Sequence, residues 1–143
     1  MLYLWIFGNN VEDALGRMRF LGFYLACGLV ATATQVLTDP GSTAPMIGAS
    51  GAVAGVLGAY LVLYPRARVL TVFTLGVIFP VVEAPAWILL GIWFALQAVE
   101  GVLSFRHPAV GVAFFAHVGG FLTGMGLGVV LARRPRRRAP RGA

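Results

Sequence analysis

The chain has 143 residues, 59% of them apolar and only 11% charged, with a mean hydropathy of +0.85. A soluble domain carries about 25% charged residues, so this composition excludes an ordinary water-soluble fold and makes lipid the solvent for most of the surface. The formal charge is +6 and every basic residue is Arg, but these cluster at the ends of apolar runs and in the tail, which reads as membrane orientation rather than nucleic-acid binding.

Residues 1–8 are apolar and lack the basic start and small-residue cleavage site of a secretory signal. They read as the last two turns of a membrane helix whose beginning is missing. Crossing a bilayer takes about 20 mostly apolar residues. Phe20 to Thr38 meets this without a charge and holds the single Cys27, so no intrachain disulfide is available. Met46 to Tyr64 is uncharged and followed by Pro65, a helix stop. Pro85 to Val102 opens on a first-turn Pro and carries only Glu100. Pro108 to Ala132 has no formal charge but holds His117 in its interior.

Val69 to Pro80 is apolar but too short to span. If it stays in the interface, Arg17, Arg19, Arg66, Arg68 and the tail cluster fall on one side and only Arg106 on the other. The positive-inside rule then makes the first side cytoplasmic. Residues 39–47 and 103–108 lie outside, and the spans from Met46 and Pro108 both run inward. Ser50 and His117 sit level in their outer halves.

Gly48-Ala49-Ser50-Gly51 opens one span. Alone, a Ser among small residues is more often a packing motif than a nucleophile. His117 lies about eight residues, or roughly 12 Å, into its span, and an ionisable group at that depth is a functional candidate; the alternative is a neutral His bonded between helices. Gly120, Gly124 and Gly128 recur every four residues and line one face. Gly51 and Gly55 share that spacing, with Gly58 a turn further on. Two such faces let backbones approach until a short Ser side chain reaches an imidazole. Ser needs a base to take its proton, and His supplies one near neutral pH. Glu12, Asp13 and Glu83 fall on the cytoplasmic side, while Asp39 and Glu100 read as a loop turn and an interfacial anchor, so the expected unit is a dyad. The backbone N–H of Ser50, near a positive helix end and flanked by Gly48 and Gly51, is the best oxyanion donor.

Together these residues resemble the rhomboid family. Gly48-Ala49-Ser50-Gly51 and Ala116-His117-Val118-Gly119-Gly120-Phe121-Leu122-Thr123-Gly124 carry the likeness. Phe7-Gly8-Asn9-Asn10-Val11-Glu12-Asp13-Ala14-Leu15-Gly16 resembles the family's loop between its second and third spans. The resemblance implies an all-α, polytopic transmembrane bundle over residues 1–132, followed by a disordered basic cytoplasmic tail at 133–143. It implies a Ser50–His117 dyad facing a water-filled cavity, with close helix packing at Gly55, Gly120 and Gly124. It also implies cleavage of transmembrane protein substrates in the bilayer without a metal or cofactor, in a bacterial-type plasma membrane.

Two departures stand out. The family's first span and the His-x-x-x-Asn motif of its second are absent, so Met1 reads as an internal methionine. Ala54 stands where some members carry an aromatic that stacks on the His. The competing expectations are a non-catalytic rhomboid-like protein that binds other membrane proteins, and a small transporter subunit, for which the polar groups are too sparse. The Arg distribution makes a direct prediction. With single cysteines in a Cys27→Ala background, an impermeant maleimide should label residues 39–47 from outside and residues 133–143 only after permeabilisation. Tail labelling from outside would overturn the orientation.

Overall fold

The computed structural model describes residues 2–41, 49–72, 81–104 and 113–132. Gly48, most of the 39–47 and 103–108 loops, residues 73–80 and the Arg tail lie outside the described residues. The chain begins as one turn of π-helix, Leu4–Gly8, running straight into α1 (Asn9–Leu15). The expected inter-span loop is therefore helical. Asn9 and Asn10 stay in the helical region, and the break comes only at Gly16, with φ 86°, a backbone angle that glycine adopts at no steric cost. Phe7, Val11 and Leu15, four residues apart, form the buried stripe of this segment.

Next come α2 (Arg17–Thr38), α3 (Ala49–Leu63), a hairpin of β1 (Arg68–Val72) and β2 (Val81–Pro85), then α4 (Ala86–Ser104) and α5 (Phe114–Leu131). Helices α2, α4 and α5 are long and apolar enough to cross a membrane. Their exposed faces carry large apolar side chains such as Leu25, Leu29, Ile92, Leu96, Leu122 and Val130, the surface a lipid-solvated protein presents. Helix α3 is shorter and is enclosed by the others, with every residue from Gly51 to Tyr60 buried except Val53.

Of the apolar run after Arg68, residues 73–80 lie outside the described residues. Its first residues pair antiparallel with β2, from Arg68 opposite Pro85 to Val72 opposite Val81. Pro85, expected in the first turn of a span, closes β2 instead, and α4 begins at Ala86. The hairpin base supplies carbonyls that a helix start needs: Ala86 N donates to Ala67 O at 2.8 Å and Trp87 N to Pro65 O at 3.2 Å.

The bundle is organised by α3 and α5. An added Cβ at Gly120 would run into the Gly51 carbonyl, one at Gly124 into the Gly55 carbonyl, and one at Gly128 would lie 2.9 Å from Ala59 Cβ. The pairs 51/120, 55/124 and 59/128 ascend together, so the two helices run parallel with backbones touching. On the other flank, Cβ atoms at Gly51 and Gly55 would strike Ala31 and Cys27 of α2. Here the order is reversed and the packing antiparallel. Lipid gives helices no hydrophobic reason to associate, so contact at small residues carries the cohesion.

These contacts predict a contrast within one helix. Gly124→Ala forces its methyl group into the Gly55 backbone, which cannot move aside as a flexible side chain would, and should destabilise the fold by about 1–3 kcal/mol. Gly126 has nothing within 4 Å of its added Cβ, so Gly126→Ala should be neutral or stabilise by up to about 1 kcal/mol through helix propensity. Thermal unfolding of both variants in detergent checks the pair.

Candidate functional site

Hydroxyl groups in lipid-embedded helices usually satisfy themselves on their own backbone. Thr32, Thr34 and Thr38 of α2 bond the carbonyls of Gly28, Val30 and Thr34, Thr123 bonds Gly119 O, and Ser104 bonds Gly101 O. Ser50, the second residue of α3, makes a contact of another kind. Its Oγ lies 3.1 Å from His117 Nε2, across the α3–α5 interface.

That distance follows from the packing. Ser50 precedes Gly51, and His117 lies one turn before Gly120, so the backbone contact at 51/120 sets the two side chains side by side. Ser50 is the second residue of α3 and exposed, and His117 is half-buried. The depth expected for His117 is corrected. Ala113 has a non-helical backbone (φ −92°, ψ 73°) and α5 opens at Phe114, so His117 sits in its first turn.

Two glutamines that the sequence reading passed over complete the arrangement. Gln35, near the end of α2, accepts the backbone N–H of Ala116 at 3.2 Å, capping a first-turn donor that would otherwise lack an intrahelical partner. Beside it, the Thr34 side chain fills the space above Gly119. Gln97 of α4 places its Oε1 2.6 Å from His117 Nδ1. The expected dyad therefore has a third polar neighbour, an amide and not a carboxylate. The only signal for it in the sequence is a lone uncharged polar residue within an otherwise apolar span.

The imidazole is also flanked by Trp93, one turn before Gln97 on the same face of α4, with ring centroids 6.0 Å apart and planes tilted by 42°. Ala54 is buried, and the aromatic neighbour of His117 comes from α4 rather than α3. Of the other residues singled out, Gly51, Gly55, Gly120 and Gly124 lie in the helix contact. Asp39 and Glu100 are exposed.

A family model described as "Rhomboid domain" matches residues 1–134. The chain is 34% identical over 131 residues to the "Presenilin-associated rhomboid-like protein A, mitochondrial" of Danio rerio, covering 87% of this chain and 31% of that protein. It is 31% identical over 136 residues to the "Rhomboid protein 1, mitochondrial" of Saccharomyces cerevisiae, covering 87% and 34%. It is 33% identical over 135 residues to the "RHOMBOID-like protein 5" of Arabidopsis thaliana, covering 94% and 39%. The chain thus spans about a third of the length of these curated relatives. No solved structure matches it.

Proposed function

This chain belongs to the rhomboid family and is a multi-pass membrane protein, and from that premise we propose that it is an intramembrane serine protease acting on transmembrane proteins. The observation that carries the reading is the 3.1 Å approach of Ser50 Oγ to His117 Nε2, a contact that crosses from α3 to α5. A nucleophile and a base within hydrogen-bond reach form the minimum unit for acyl transfer.

In this mechanism Ser50 donates its proton to His117 Nε2 as Oγ attacks the peptide carbonyl. The oxyanion develops near the start of α3, where the Ser50 N–H and the positive end of the helix dipole stabilise it. His117 then gives the proton to the leaving amine, the C–N bond breaks, and an acyl-Ser50 ester remains. A water molecule, deprotonated by the same nitrogen, hydrolyses that ester and restores the hydroxyl. No metal or cofactor is needed for these steps.

Substrates in this reading are helices within the same bilayer, which reach the exposed Ser50 from the lipid phase. The Danio rerio relative is named for association with presenilin, which supports a membrane protein as partner. The cytoplasmic placement of residues 133–143 rests on the Arg distribution, and the two relatives named as mitochondrial weigh against the bacterial-type plasma membrane that the resemblance implied.

The test is cleavage of a model transmembrane substrate in proteoliposomes, using the protein as its native gene encodes it. Ser50→Ala and His117→Ala should each abolish cleavage, and the double variant should be no worse than either single, because the two act as one unit. A fluorophosphonate should label Ser50. Equal cleavage by the parent and Ser50→Ala would sink the mechanism, and binding of membrane proteins without cleavage by any variant would favour a non-catalytic role.

A further inference from the structure

Residues Ala86, Leu90, Trp93, Gln97 and Gly101 recur at helical spacing along one face of α4, and its half from Trp93 to Gly101 packs on α5. The register is antiparallel. Gly101 meets Phe114 and Phe115, Gln97 meets His117, and Trp93 and Phe94 meet Phe121. Gln97 is the one polar side chain on this stripe. An amide placed there forfeits apolar packing and is costly in lipid unless it is bonded.

We propose that Gln97 is a positioning residue for His117: it fixes the tautomer and direction of the imidazole that the hydrolase reading requires, and so rests on that reading. A neutral imidazole carries its proton on one nitrogen only, and the partner of one nitrogen decides the state of the other. Gln97 Oε1, at 2.6 Å from Nδ1, accepts Nδ1–H. That leaves the Nε2 lone pair free and aimed at Ser50 Oγ. The same bond persists when the ring takes up the Ser50 proton, because Nδ1–H remains a donor in the imidazolium. An amide turned the other way would donate to Nδ1 and force the proton onto Nε2, where the ring could not accept from Ser50.

Among the described residues, the neighbours of His117 leave this task to Gln97. Ser50 on α3 and Trp93 on α4 offer nothing to Nδ1, and on α2 the Gln35 oxygen is engaged with Ala116 N and the Thr34 hydroxyl with Val30 O. Trp93 limits the tilt of the ring from one side. The amide sets its rotation. A bond that served only to tie α4 to α5 would not need to select one tautomer, and this separates the two roles.

The experiment uses the native protein labelled with 15N-histidine, with His107 and any histidine beyond residues 1–143 replaced by Asn so that His117 is the one imidazole observed, in proteoliposomes and with the ring neutral. In the parent, Nδ1 should give the shift of a protonated nitrogen and Nε2 that of a free lone pair. Gln97→Met, of similar length but without an acceptor, should lose this preference and slow fluorophosphonate labelling of Ser50. Loss of the group that holds a catalytic imidazole in its tautomer costs up to about 10⁴-fold in kcat, and the loss should fall on kcat with KM for the model substrate unchanged. Gln97→Glu, which keeps an acceptor, should restore both the tautomer and the labelling. A parent that carries its proton on Nε2, or a Gln97→Met variant with unchanged tautomer and labelling rate, overturns the proposal. If the tautomer responds as described while Ser50 is never labelled in the parent, Gln97 still positions the ring and the hydrolase reading is what fails.

Discussion

The contact of α3 with α5 at paired glycines is the constraint from which the rest of the site follows. Helices with ordinary side chains keep their axes about 8–10 Å apart, and paired glycines remove the side chains that hold backbones at that distance. Here Gly120 and Gly124 lie directly against the carbonyls of Gly51 and Gly55. The parallel course of the two helices brings their first turns to the same end of the bundle. One short side chain and one ring then meet without either leaving its helix.

The remaining helices hold this pair in place. Helix α2 fills the opposite flank of α3 with Cys27 and Ala31, and its far end caps α5 through Gln35. Helix α4 runs back along α5 and presents Trp93 and Gln97 to the imidazole. Among the described residues, Gln35, Ser50, Gln97 and His117, one each from α2, α3, α4 and α5, reach between helices at this end, and Tyr24 of α2 bonds the Ala49 carbonyl at the start of α3. The Ser and Thr hydroxyls of α2, α4 and α5 turn back on their own carbonyls, so lipid meets few unsatisfied polar groups.

Much of this was legible in the sequence, because a bilayer leaves few solutions. Length and hydropathy mark the helices α2, α4 and α5, and the four-residue recurrence of glycine marks the touching faces. Ser50 and His117 stand out as polar residues at comparable heights. Other features depend on information that no local window holds. Asn9 and Asn10 look like loop residues, yet the helix runs to Leu15 because only Gly16 adopts a non-helical angle. The apolar stretch after Arg68 has the same composition whether it forms a strand or a short helix, and its pairing with residues 81–85 is a tertiary choice. Gln97 belongs to no motif and gains its meaning from lying level with His117 on another helix.

The claim that backbone contact sets the chemistry is tested most directly by the fluorophosphonate labelling rate of Ser50 in Gly120→Ala against Gly126→Ala, both assayed well below their melting temperatures. An added methyl at Gly120 strikes the Gly51 carbonyl and pushes the first turns of α3 and α5 apart, whereas one at Gly126 meets nothing. A displacement near 1 Å costs roughly 10²-fold in a reaction that depends on alignment. Labelling should therefore fall by about that factor in Gly120→Ala and match the parent in Gly126→Ala. Equal rates in the two folded variants would contradict the dependence of the Ser50–His117 pair on the glycine contact.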